Sequence, residues 1–97
     1  MLGQRIAELR LALGWSQVEL SKRLRVAKQT VSNWENDNIQ PSIEMLVRLA
    51  KLFNVTTDYL LGMESVPRIS IEGLPDAVVA HICLLIDDYR AVKIQKS

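Results

Sequence analysis

Lys28, Gln29, Ser32 and Asn33 lie in the stretch VAKQTVSNWENDN, residues 26–38, at a spacing that places all four on one side of a helix. The other side carries Val31 and Trp34. A helix that merely faces solvent is usually surfaced with Glu, Lys and Arg, which are better helix formers and better solubilisers. Amides and hydroxyls offer something else, paired donation and acceptance of hydrogen bonds. The major-groove edge of adenine presents one donor and one acceptor, which an amide matches bidentately; guanine presents two acceptors, which Lys or Arg matches. Gln29 and Asn33, one turn apart, are therefore candidates for reading base edges. Lys28 could read guanine or hold a phosphate, and Ser32 could make either kind of contact. Thr30 lies nearer the flank, where its methyl could touch thymine or its hydroxyl a phosphate. The plainer alternative is a polar surface helix with no ligand.

No other cluster suggests chemistry. His81 and Cys83 are two apart on a helix and point in opposing directions, so they cannot act as nucleophile and base. Asp76, Asp87 and Asp88 lack metal-ligand spacing, and there is neither a glycine-rich phosphate loop nor a nucleophile elbow. The expectation is a non-enzyme without metal or cofactor. A single cysteine in 97 residues suits a reducing compartment. The amphipathic opening MLGQRIAELRLALGW does not read as a signal peptide, and the run AVVAHICLLI is too short to span a membrane. A soluble cytoplasmic protein is expected. Residues 1–61 carry eight Lys/Arg against six Asp/Glu (net +2), and residues 62–97 four against five (net −1). That asymmetry is too weak to identify a nucleic-acid binder, so the placement of charges has to carry the argument.

The elements that would position the polar face follow from apolar spacing and caps. Leu2, Ile6, Leu9 and Leu13 recur at helical intervals, with Gly14 as a left-handed stop. Ser16 and Glu19 form a capping box for a second helix, and Trp15 and Leu20 a hydrophobic staple. Leu20 and Leu24 face inward, with the small Ser21 beside them. Only Arg25 to Ala27 separate this helix from the third. Ser42 caps a fourth helix after Pro41, with Glu44 in its first turn, an inward stripe of Leu46, Leu49, Ala50 and Phe53, and Asn54 as its end. Thr56 caps a short fifth helix that stops at Gly62. Beyond it, Ile69 and Ile71 alternate with polar residues as a very short strand, and a last helix runs from about Asp76 to Lys93.

Two helices joined by a three-residue turn, the second bearing hydrogen-bonding side chains, is a helix-turn-helix arrangement. From Gln4 to Gly62 the chain resembles the lambda-repressor-like, Xre/Cro-type helix-turn-helix family. The resemblance rests on the SQ-x-x-L opening, the TVS-x-WE helix, and the PS-x-x-x-L-x-x-LA-x-x-x-x-V-x-x-DYLL tail. It implies an all-α, five-helix DNA-binding domain over residues 1–62. By resemblance, Gln17 contacts a phosphate from the first turn of the second helix, where free amides already attract anions. Arg10 and Glu35 match a partly buried ion pair that lies beside the DNA backbone in family members, which puts Arg10 among the phosphate candidates too. Asn36, Asn38, Thr30 and Arg25 are further phosphate candidates. The chain departs from the pattern at Arg25, where glycine is common and the backbone tends to be left-handed, and at Ala27, where Ser or Thr usually caps.

Residues 63–75 are expected to form a linker with the short strand, and residues 76–97 a C-terminal dimerisation helix. Val78, Ile82, Leu85, Tyr89 and Val92 form a heptad-like seam wider than a helix needs to cover a finished domain. A lone strand at Ile69 and Ile71 would need a second copy to pair with. The expectation is a sequence-specific transcriptional regulator, a repressor that binds a pseudo-palindromic operator in double-stranded DNA as a homodimer. One rival is an antitoxin or phage-type immunity repressor whose C-terminal helix binds a protein antagonist or toxin. Another is a protein-interaction module that has lost DNA reading, against which the uncharged polar face argues, since protein interfaces favour aromatic and apolar anchors.

Overall fold

The computed structural model describes residues 2–96, and for residues 93–96 the backbone alone. Six helices follow one another: α1 (Leu2–Ala12), α2 (Gln17–Leu24), α3 (Lys28–Glu35), α4 (Ile43–Phe53), α5 (Thr57–Leu60) and α6 (Asp76–Lys96). Helices α2 and α3 pack on each other, α1 lies against α3 and α5, and α4 lies against α5. Ile6, Leu20, Leu24, Val31, Trp34, Leu49, Ala50, Phe53 and Leu60 form the core. The Trp15 ring stacks on Phe53 with centroids 6.2 Å apart.

Local chemistry fixes both ends of these helices. The hydroxyls of Ser16, Ser42 and Thr56 accept from the third amide of α2, α4 and α5 respectively. The capping box at α2 is half formed, because Glu19 turns its carboxylate towards Arg23 at 3.5 Å. Each of the first five helices ends in a paired 6→1 and 5→2 bond around one left-handed residue: Gly14, Arg25, Asp37, Asn54 and Gly62. For α1 the two bonds are Trp15 N to Arg10 O at 3.1 Å and Gly14 N to Leu11 O at 2.9 Å. This motif reverses the chain within two residues, which is how α2 and α3 come to be joined so tightly.

The expected strand at Ile69 and Ile71 is absent: among the described residues every regular element is helical. Its local bonds compete with extended pairing. Ser70 Oγ accepts from Glu72 N at 3.2 Å, and Leu74 N donates back to Ile71 O at 3.2 Å. Pro67 supplies no amide, and no neighbouring strand offers a ladder. Ile69 and Ile71 are exposed. Helix α6 is apolar over much of its surface, yet only Val79 and Ile82 are even half-buried among its described side chains. The radius of gyration is 15.5 Å, against about 12.5 Å for a compact chain of this length, because α6 stands away from the core.

Helix α1 meets the end of α3 at Gly3. A methyl group there would sit 2.5 Å from Trp34 O, 2.6 Å from Glu35 O and 2.8 Å from Asp37 Oδ1. Gly3 N donates to Asp37 Oδ1 at 3.0 Å, so a side chain just past α3 caps an orphan amide of α1. Gly3→Ala is expected to destabilise the fold by about 1–3 kcal/mol, since backbone oxygens cannot yield as a side chain would. Thermal unfolding followed by circular dichroism should register a loss of roughly 4–8 °C per kcal/mol. An unchanged midpoint would mean that α1 shifts without penalty.

Candidate nucleic-acid interface

Helix α3 has Val31 and Trp34 buried beneath it, which turns the Lys28, Gln29, Ser32 and Asn33 side outward. Lys28 and Gln29 are exposed; Ser32 and Asn33 are half-exposed. The four therefore share one accessible face. Gln29 Nε2 donates to Asn33 Oδ1 at 3.1 Å, and Asn36 Nδ2 donates to Ser32 Oγ at 3.4 Å. The first bond leaves Gln29 with its Oε1 and one N–H, still the acceptor and donor that adenine requires. Asn33 keeps both of its N–H donors. These couples restrain flexible side chains before any ligand arrives.

Other candidates flank this face at its two ends. Near the start of α3, Arg25 is exposed, with Lys22 and Arg23 on the preceding turn of α2. Near its end stand Gln17, half-buried, and Asn36 and Asn38, both exposed. Thr30 is half-buried on the flank. An α-helix with its side chains is roughly 10–12 Å across, and the B-DNA major groove, about 12 Å wide, admits it.

Arg10 occupies a different setting. Its Nε and Nη2 donate to Glu35 Oε2 and Oε1 at 2.7 and 3.0 Å, and its Nη1 donates to Trp15 O at 2.8 Å. The guanidinium is nine-tenths buried. The bond to Glu35 raises its pKa above the ordinary arginine value, against the opposing effect of burial. Bonded through three of its five N–H groups, Arg10 is a strut between α1, α3 and the α1–α2 turn. Glu35 Oε1 also accepts from Gln17 Nε2 at 3.0 Å, so the candidate phosphate donor is tied to the same carboxylate.

Three contributors escaped the sequence reading. Arg48 Nη2 donates to Leu24 O at 2.5 Å, a cation on the last carbonyls of α2, directly before the turn into α3. Nothing in its spacing on α4 announces that reach. Asp37 and Gly3 form the clasp described above. A glycine within an otherwise good helical pattern was the available signal, since such a residue usually has a packing reason. The apolar candidates Ile69, Ile71, Val78, Leu85 and Tyr89 are all exposed, while Ile82 is half-buried. Those on α6 share one side by helical periodicity.

A tight α2–turn–α3 unit in an all-helical bundle, with a polar face turned outward on α3, defines the helix-turn-helix class. The helix-turn-helix family model matches residues 6–60, and the chain belongs to this family of lambda-repressor-like transcriptional regulators. It is 39% identical over 67 residues to the HTH-type transcriptional regulator ImmR of Bacillus subtilis (strain 168), covering 69% of this chain and 53% of that one. The HTH-type regulator AnsR of the same organism is 42% identical over 60 residues, covering 62% and 52%. The repressor protein C2 of Salmonella phage P22 is 34% identical over 61 residues, covering 63% and 28%. The chain thus spans about half the length of the first two. Among solved structures, a chain of the SinR protein/SinI protein complex superposes with a TM-score of 0.62 at 26% identity, covering 99% of this chain and 95% of that one. No described helix is long and apolar enough to cross a membrane.

The turn between α2 and α3 contains a measurable strain. Arg25 sits at φ 58°, ψ 45°, a conformation that costs an L-residue with a Cβ roughly 1–2 kcal/mol. Arg25→Gly should therefore raise the melting temperature by a few degrees, while removing a cation from the edge of the polar face. A lowered melting temperature would show that the arginine side chain stabilises the turn by more than its backbone strains it.

Proposed function

We propose that the chain is a repressor of transcription that binds a pseudo-palindromic operator in double-stranded DNA as a homodimer, with α3 in the major groove. The observation that carries the reading is the accessible Lys28–Gln29–Ser32–Asn33 face, built from amide and hydroxyl groups and mounted on a helix buried behind it. Gln29 and Asn33 read base edges, with Lys28 and Ser32 beside them. Gln17, Arg25, Thr30, Asn36 and Asn38 supply phosphate contacts that set register. Residues 1–62 act as the DNA-binding unit, and residues 76–97 as the dimerising one. The reading requires no cofactor and no catalytic group, and it places the protein in the cytoplasm.

Dimerisation is supported by the apolar side of α6. Val78, Leu85, Ile86, Tyr89 and Val92 are exposed together on a helix of 21 residues that the single chain leaves uncovered. Long exposed apolar seams are rare in monomers, and two copies related by a two-fold axis bury the same patch on each. A second reading has its own support. The chain matches, over 99% of its length, one whose solved structure is a complex between two different proteins. On that reading the α6 seam receives a protein antagonist or toxin, and the chain is an immunity repressor or antitoxin.

Titration of operator variants tests the base-reading roles. Gln29→Ala and Asn33→Ala should each relax preference at one or two base positions by roughly 1–3 kcal/mol, leaving binding to unrelated DNA nearly unchanged. Equal weakening on every sequence would contradict the assignment. Tyr89→Glu on α6 should convert the dimer to a monomer in sedimentation while leaving the melting of the five-helix unit in place. Operator affinity should then fall by an order of magnitude or more, through loss of the second half-site. A variant that stays dimeric would move the interface elsewhere.

A further inference from the structure

We propose that Glu35 is a positioning residue for DNA binding: its buried carboxylate grips one N–H of the Gln17 amide, so that the other N–H faces the phosphate backbone. The proposal rests on the reading of Gln17 as a phosphate donor. It extends the Arg10–Glu35 pair from a strut of the fold to a part that aims a contact.

The argument starts from what a carboxylate can do. It only accepts, so the end of the Gln17 amide turned towards Glu35 Oε1 at 3.0 Å has to be the NH2. An amide facing a hydroxyl or water could sit either way round; this one cannot. The two N–H bonds of a planar amide diverge, and Glu35, with a side chain 7% exposed, lies on the inner side. Gln17 is half-buried in the first turn of α2, so solvent reaches part of its side chain, and the N–H not used by Glu35 is the one left for a phosphate. The reversed amide would present its carbonyl oxygen to a phosphate and repel it.

The carboxylate is itself immobilised. Arg10 binds both of its oxygens, at 2.7 and 3.0 Å, and anchors on Trp15 O at 2.8 Å, one residue before the cap of α2. One guanidinium therefore connects the end of α3, the turn before α2 and, through Glu35, the Gln17 side chain. A flexible side chain fixed in advance loses less freedom on binding. That is worth about a two- to tenfold gain in affinity for one long side chain.

The test uses the full chain and a mixed-sequence DNA duplex titrated at several salt concentrations, since a phosphate contact is indifferent to sequence. Gln17→Ala, the double variant Arg10→Met/Glu35→Leu and the triple variant are compared with the parent protein. Replacing both charges by apolar groups of similar size commonly preserves or raises stability, which circular dichroism checks. Glu35→Met, which has no oxygen to accept from Gln17, supplies the same comparison at a temperature where it is folded, should the double variant unfold. The expected result is that the folded Glu35 variant binds about as weakly as Gln17→Ala, with the salt slope close to the parent's in both, since a neutral amide displaces no counterion. Adding Gln17→Ala to it should cause no further loss. Full affinity in the folded Glu35 variant, or losses that multiply when combined, would overturn the positioning role while leaving Gln17 as a phosphate donor. Unchanged affinity in Gln17→Ala would remove that donor reading, and the proposal with it.

Discussion

The guanidinium of Arg10 and the carboxylate of Glu35 meet in a two-pronged contact at the place where α1, α3 and the α1–α2 turn converge. Burying an ion pair is expensive in desolvation, and such pairs contribute less to stability than their geometry suggests. Removing one partner is another matter, because it strands a charge nine-tenths buried. The pair therefore acts chiefly on geometry, fixing where the end of α3 sits relative to α1. Gly3 closes the same junction from the other side, with no side chain to hold the helices apart and its amide on Asp37. Clasped at this end and packed from below through Val31 and Trp34, α3 has its remaining side free.

The start of α3 is held by different means. Ala27 provides no side-chain cap, and the left-handed Arg25 strains the turn before it. Arg48 compensates by reaching from α4 to the last carbonyl of α2 at Leu24. The two ends of the polar helix are thus unequal: one is fixed by a buried bidentate pair, the other by a single long arginine and a strained turn. Adjustment to a ligand is expected to be concentrated at the Lys28 end, where the local free energy of opening is lower.

Much of this was legible in the residues. Caps at Ser16, Ser42 and Thr56, and stops at Gly14, Asn54 and Gly62, are properties of single side chains and backbone angles, which short sequence windows express well. The inward faces of α2, α3 and α4 followed from the spacing of Leu20, Leu24, Val31, Trp34 and Leu49. What was not legible depends on distant partners. Arg48 on Leu24 O and Gly3 against Trp34 O join residues 24 and 31 positions apart, and no local pattern encodes either. The strand at Ile69 and Ile71 failed for a related reason. Alternation describes the side chains of a strand, but a strand exists only with a neighbouring ladder, and Ser70 and Ile71 close local turns instead. The shared face of Gln29 and Asn33 was readable; their bond to each other was not, since helical spacing gives proximity and not partnership.

Helix α6 carries the other half of the molecule's chemistry, an apolar surface that the five-helix unit leaves uncovered. A two-fold arrangement through it would set two copies of α3 a fixed distance apart, and the polar helix and the apolar helix would become parts of one device. Selection of bound fragments from a random DNA pool interrogates that claim most directly. The account predicts enrichment of two inverted half-sites with centres separated by one helical turn, about 34 Å, or a multiple of it. A pool that stays unenriched in sequence, although the protein binds it in a salt-dependent way, would contradict base reading by α3.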